Sequence, residues 1–365
     1  MIFMNLRSRA PLPHSRQAAA ARNGNSIAPM SLSASPLHPP IAPYASAQVE
    51  VGDGHRLYVE QCGNPQGLPM VYLHGGPGSG CSARQRQFFD PGLYRAVLFD
   101  QRGCGRSLPP GALLHNHTDA LVQDLETLRQ HLGIARWLVV GGSWGAGLAL
   151  AYAQAHPQAC LGLLLRGVFL GRPSDIAWFF QGAAQLLPAA WQQLIDQVPG
   201  HAAGNAVLQW LHTGLHGDDA AHALACALAW EAWEQSLSQQ RSVAARVLAQ
   251  GDAEAALLTD KYRIQSHYLI HQCFREGAGL VPRADALTGL PIAILHGRLD
   301  TICRPQAAQD LHQMLPGSRL QWVEGCGHNP FEPGNAAALV AAIGHFASQG
   351  HFTQWGCTLQ HHPAA

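Results

Sequence analysis

Gly141-Gly142-Ser143-Trp144-Gly145 places a serine among small residues, after a compact apolar run at 138–140 and before a helical stretch at 144–156. Where a strand turns sharply into a helix, glycines let the backbone bend and neighbouring chains come close, and the serine hydroxyl projects for nucleophilic attack. The plainer reading is a Gly-rich turn with an N-capping serine. A serine hydroxyl is a weak nucleophile at neutral pH, so it needs a base titrating near 7 and a carboxylate to orient that base. His328, in Gly325-Cys326-Gly327-His328, and Asp300, in His296-Gly297-Arg298-Leu299-Asp300, each follow a late apolar run. Singly, Asp300 reads as a helix N-cap and His328 as a turn residue. Together they supply an acid and a base in the chain order Ser, Asp, His known for this arrangement.

Attack on a carbonyl also creates an oxyanion, which requires donors already aimed at it. His74-Gly75-Gly76-Pro77-Gly78 follows the run 70–73 and offers exposed backbone N–H groups. The donors are assigned to Gly76 and to Trp144, the residue after the serine. A simple tight turn is the alternative for the glycine run. Its place in the order of elements favours the catalytic reading of a serine hydrolase working through an acyl-enzyme.

The elements that must position these residues follow the same logic. Runs at 49–51 and 57–61 around Asp53-Gly54 predict an opening hairpin. Buried strands are expected at 70–73, 96–99, 138–140 and 161–165, with a helix over 119–132 carrying Leu121, Leu125, Leu128 and Leu132 at helical spacing. That alternation implies a parallel sheet with helices on both faces. From about 170 to 285 strand signals cease and the chain becomes rich in Ala, Gln and Trp, which reads as a helical insertion over the C-terminal ends of the strands, the edge where ligands bind. Strand, helix, strand and helix resume at 291–295, 306–314, 320–323 and 336–347. The expected division is therefore an extension at 1–37 outside the fold, core at 38–168, cap at 169–288, core again at 289–350, and a tail at 351–365 that holds His361 and His362.

Composition narrows the function classes. Hydrophobic residues make up 47% and charged residues 13%, which suits a globular core, and 23 basic against 23 acidic side chains give no general attraction to nucleic acid or an anionic membrane. Lys261 is the only lysine. Nine cysteines without Cys-x-x-Cys spacing suggest reduced thiols in the cytoplasm, and no metal-ligand pattern is present despite 21 histidines. The expectation is no metal or organic cofactor and small peptide, amide or ester substrates. Residues 1–29 carry four arginines and no apolar segment, so a secretory signal is not expected. Met30 is the preferred start, with a transit peptide as the alternative.

Over nearly all of the chain from about residue 38 the sequence resembles the proline iminopeptidase (prolyl aminopeptidase) family of α/β-hydrolase serine peptidases. The resemblance is carried by His74-Gly75-Gly76-Pro77-Gly78, Asp100-Gln101-Arg102-Gly103-Cys104-Gly105-Arg106-Ser107, Gly142-Ser143-Trp144-Gly145, Leu165-Arg166-Gly167-Val168-Phe169, Gly297-Arg298-Leu299-Asp300 and Gly327-His328. It implies an α/β-hydrolase fold with a helical cap and release of an N-terminal proline. It also implies that glutamates of the cap hold the terminal amine. Glu234, in Trp230-Glu231-Ala232-Trp233-Glu234, matches one of them; a solvated helix face is the plainer reading, since Glu231 and Glu234 lie three apart. At the second position stands Gln265, which can accept a hydrogen bond but carries no charge. Phe169 matches an aromatic of the ring pocket, and Phe179 stands where a tyrosine is usual. These departures bear on proline specificity, leaving an amidase or esterase on the same scaffold as an alternative, with a non-catalytic binding protein as a third reading. Cys303 is expected near the pocket, where a bulky thiol reagent would slow the enzyme; a small buried apolar side chain is the alternative.

Overall fold

The computed structural model describes residues 35–201, 204–275, 277 and 279–355. The segment before residue 35, with Met30, and the pair His361 and His362 lie outside these residues.

Eight strands form one sheet: β1 Ala45–Gly52, β2 His55–Gly63, β3 Leu68–Leu73, β4 Tyr94–Phe99, β5 Trp137–Gly142, β6 Cys160–Arg166, β7 Ile292–Gly297 and β8 Arg319–Val323. Their spatial order is β1-β2-β4-β3-β5-β6-β7-β8. β2 runs antiparallel to both β1 and β4, and every later pairing is parallel. The β1–β2 turn puts Asp53 and Gly54 at φ 53° and 77°, the left-handed pair that lets a two-residue turn follow the twist of its strands.

Side chains alternate across the sheet, so consecutive apolar residues supply two cores. Val71, Leu73, Val97, Phe99, Val139, Leu163 and Leu165 face a core shared with α1 Thr118–His131 and α2 Trp144–Ala155. Met70, Tyr72, Ala96, Leu98, Leu138, Val140 and Leu164 face a second core, under α9 Pro333–Gln349, supplied by its Leu339, Ile343 and Phe346. Phe352 and Trp355, in the segment read as a tail, are buried in this second core. α2 is buried on all sides from Trp144 to Ala153, which is why its sequence lacks a polar face.

Between β6 and β7 the chain forms α3 Pro173–Phe180, α4 Pro188–Ile195, α5 Asn205–His216, α6 Ala220–Gln239 and α7 Ala253–Ile270, with no strand among the described residues. α8 Pro305–Met314 joins β7 to β8. The inserted helices are stitched to the loop after β7: Trp178 Nε1 donates to Thr301 O at 2.9 Å, Thr301 Oγ1 to Leu237 O at 2.8 Å, and Gln240 Nε2 to Leu299 O at 2.8 Å.

Candidate active site

Ser143 sits between β5 and α2 with φ 57° and ψ −123°. For a residue with a Cβ this conformation costs on the order of 1–3 kcal/mol, so the surroundings must impose it. They do so through close backbone approach. A Cβ at Gly141 would collide with the Gly145 carbonyl, and one at Gly145 would collide with the Leu73 carbonyl of β3. The two motif glycines are thus required by packing. Ser143 N–H donates to Arg166 O at 2.8 Å, fixing the turn against β6.

The His74–Gly78 segment, where the sequence leads one to expect an oxyanion donor, is fixed from behind. His74 is wholly buried; its Nε2 accepts from Gln101 N–H at 3.0 Å, so Nδ1 carries the proton that goes to Gly75 O at 2.9 Å. Burial lowers the pKa of His74 and favours this neutral form. Gln101 then bridges the two halves of the site, its Nε2 donating to His74 O at 3.1 Å and its Oε1 accepting from Trp144 Nε1 at 2.9 Å. Among the described residues, neither the Gly76 nor the Trp144 N–H makes a turn or cap hydrogen bond.

Asp300 and His328 are brought together. Nδ1 of His328 donates to Asp300 Oδ2 at 2.7 Å, and Oδ1 of Asp300 accepts from Ile302 N–H at 3.0 Å and Cys303 N–H at 2.9 Å. Burial would raise the Asp300 carboxyl, but the charge and hydrogen bond of His328, with further help from His296 and Cys303, hold it below its ordinary value. Both His328 and Asp300 lie against Gly167, the residue after Arg166. Ser143 and His328 therefore flank one backbone step at the end of β6. Among the described residues Ser143 Oγ is hydrogen-bonded to Cys303 Sγ, at 3.9 Å, and not to His328.

Two neighbours escaped the sequence reading. His296 is buried, accepts from Val168 N–H at 3.2 Å and donates to Cys303 O at 2.9 Å, tying the Asp300 loop to the β6 loop. Arg166 donates to the His328 carbonyl at 2.6 Å. No local pattern distinguishes a buried histidine or arginine from an exposed one, so only the fold reveals these braces.

In the inserted helices, Glu234 Oε1 accepts from Lys261 Nζ at 3.1 Å, and its Oε2 accepts from Tyr262 OH at 3.4 Å and Gln265 Nε2 at 3.3 Å. Glu231 does not join this cluster; Arg246 binds it through Nε at 2.8 Å and Nη2 at 2.9 Å. α7 connects the cluster to the elbow: the Lys261 carbonyl packs on Gly78, and the Tyr268 ring meets the Trp144 ring at 4.8 Å between centroids. Phe179 lies among Phe180, Trp230 and Trp233 at 4.9, 6.5 and 6.4 Å, and Phe169 is half-buried against the first core. Among the described residues no group of three His, Cys, Asp or Glu is placed to hold a metal ion.

Residues 69–334 match the alpha/beta hydrolase fold family. The chain is 44% identical over 312 residues to a proline iminopeptidase of Xylella fastidiosa strain Temecula1, covering 85% of this chain and 99% of that one. It is 45% identical over 313 residues to a proline iminopeptidase of Xanthomonas citri, with the same two coverages. The chain belongs to the proline iminopeptidase family. Among solved structures, a proline iminopeptidase-related protein of Thermus thermophilus aligns with TM-score 0.53 and 24% identity over 83% of this chain and 97% of that one, a likeness of fold.

In this member of the family the Asp100–Ser107 signature is structural. Asp100 Oδ2 accepts from Arg106 N–H at 2.9 Å and Nε at 2.8 Å. Arg102 grips Asp124 with two bonds, of 2.7 and 2.8 Å. These pairs, the Arg102–Asp124 one wholly buried and the Asp100–Arg106 one with its arginine exposed, shape the loop after β4 that carries Gln101 to the site. In the inserted helices Lys261 and Gln265 both donate to Glu234, at 3.1 and 3.3 Å.

Proposed function

We propose that this hydrolase releases an N-terminal proline from short peptides through an acyl-enzyme on Ser143. The observation that carries the reading is Ser143 held left-handed at the end of β5 beside an Asp300–His328 pair bonded at 2.7 Å. With Nδ1 committed to Asp300, Nε2 of His328 is the free base. It takes the Ser143 proton as Oγ attacks the scissile carbonyl, a contact that tightens when substrate is bound. The N–H groups of Gly76 and Trp144 receive the oxyanion. His328 returns the proton to the leaving amine, and water, activated by the same imidazole, then frees the acid.

In this reading residues 169–288 are the cap, and Phe169, Phe179, Glu234 and Gln265 form its substrate pocket. The eight cysteines among the described residues are all free, which supports a reducing, cytoplasmic setting; among the same residues no helix is long and apolar enough to cross a membrane. A second reading, an amidase or esterase without need of a terminal amine, is favoured by the Lys261–Glu234 pair. The test is labelling by a fluorophosphonate probe together with hydrolysis of prolyl p-nitroanilide. Wild type should react at Ser143 and cleave the anilide, and Ser143→Ala should lose both, with kcat down by about 10^4-fold or more. Labelling elsewhere, or undiminished turnover by the variant, would refute the assignment.

A further inference from the structure

An aminopeptidase must bind a terminal ammonium, and a partly desolvated ammonium requires an uncompensated carboxylate within hydrogen-bond reach. Glu234 is the carboxylate that α6 presents to α7, and it is not uncompensated. Lys261 supplies a full positive charge at 3.1 Å, while Tyr262 and Gln265 donate to the other oxygen. Lys261 Nζ also lies 3.2 Å from the Tyr262 hydroxyl and 4.4 Å from the centre of its ring, so three contacts hold the ammonium in place. The nearby Glu231 is taken by Arg246. The Glu234 cluster therefore carries no net charge. Gln265 adds no charge to this cluster: it is 6% exposed, and its Oε1 is buried and has no partner among the described residues.

We infer that Lys261 is a specificity-determining residue, an internal cation that stands in for the substrate's ammonium and lets the pocket accept a ring whether or not that ring is charged. This rests on the hydrolase reading of Ser143 and refines its substrate class to five-membered-ring acyl groups without an obligatory amine. An incoming ammonium must either displace Lys261 or share Glu234 with it, and both weaken binding of the charged ring relative to its neutral counterpart.

The test compares prolyl p-nitroanilide with cyclopentanecarbonyl p-nitroanilide, which has CH2 in place of the ammonium, and follows p-nitrophenyl acetate alongside. In wild type the kcat/KM ratio of the two anilides should lie within about 10-fold. Lys261→Met should raise it about 10-fold or more through a lower KM for the prolyl substrate, because a bare Glu234 recovers its need for a cation. Lys261→Arg, which keeps the charge, should hold the ratio near wild type. Lys261 is the sole lysine, so acetylation of the folded enzyme should act like Met, and reductive methylation, which keeps the charge, should act like wild type. This covers a variant that fails to fold. A ratio unmoved by Lys261→Met and by acetylation, with acetate still cleaved, overturns the inference. Absence of all turnover in wild type removes the hydrolase reading and the inference with it.

Discussion

The indole Nε1–H of Trp144 donates to Gln101 Oε1 at 2.9 Å, and through Gln101 the elbow is coupled to the His74 carbonyl at the root of the His74–Gly78 loop. The two backbone donors proposed for the oxyanion lie on different segments, Gly76 in the loop after β3 and Trp144 at the start of α2, so their separation depends on this side-chain bridge. A donor pair is effective only when it is already spaced for the developing charge.

Gln101→Ala should therefore lower kcat by about 10-fold with little change in KM, since the bridge acts on the transition state more than on substrate binding. It should also cost about 1–3 kcal/mol of stability, because it strands the buried Trp144 N–H and His74 carbonyl. Gln101→Glu would retain the acceptor for Trp144 while losing the donor to His74. Steady-state kinetics and urea unfolding of both variants separate the two halves of the bridge.

Asp300→Asn should keep the geometry and still lower kcat by about 10^3- to 10^4-fold, because the amide can donate to Nδ1 and so select the tautomer that puts the proton on Nε2. Fluorophosphonate labelling should slow in parallel. Retention of more than about a tenth of wild-type kcat would show that His328 is oriented by some other group.

The core was legible in the sequence because a sheet covered on both faces needs uninterrupted apolar runs, and each expected strand corresponds to an observed one from β1 to β8. The elbow was legible because its glycines answer to backbone collisions that leave no choice of residue. The cap was legible only as helix. Its decisive contact joins Lys261 to Glu234, which stand 27 residues apart on different helices, and periodicity within either helix cannot register them. Glu231 stands apart from the Glu234–Gln265 cluster for a reason of the same kind, since Arg246, 15 residues further on, claims it. Phe352 and Trp355 lie beyond the last recognisable helix, yet the second core buries them.

α5 and α7 meet at a polar point inside the cap. Ser266 Oγ lies 3.2 Å from His212 Nδ1 and 3.1 Å from His216 Nε2. Burial first, then repulsion from His212 and Arg263, lowers His216 to about 4. A histidine with a folded pKa below its unfolded value binds fewer protons when folded, so stability is full above about 6.5 and declines as pH falls toward about 4. The melting temperature should therefore fall across that window, and His216→Gln, which cannot be protonated, should flatten the fall. Thermal melts at several pH values between 7 and 4 decide this; an unchanged slope in the variant would assign the acid sensitivity to other groups.

Cys303 links Ser143 to Asp300, with Sγ 3.9 Å from Ser143 Oγ and N–H 2.9 Å from Asp300 Oδ1. Its sequence position suggests a thiol open to bulky reagents beside the pocket. The structure supports the proximity but removes the access: Cys303 is buried, and burial, followed by the Asp300 charge, pushes its pKa well above the usual thiol value. The thiolate is the reactive form, so iodoacetamide at pH 8 should modify Cys303 in the native enzyme about 100-fold more slowly than a free thiol, with activity retained over that time. Cys303→Ala removes only a weak partner of Ser143 and should leave kcat within about threefold. Cys303→Leu places branched carbon against Oγ and should lower kcat by about 10-fold or more, with a stability change of about 1–3 kcal/mol. Peptide mapping after alkylation, read with the kinetics of the two variants, tests whether this sulfur is a spacer for the nucleophile. Rapid alkylation at Cys303 would show that the pocket opens to solvent there, and a fully active Leu variant would show that Ser143 works from a position clear of it.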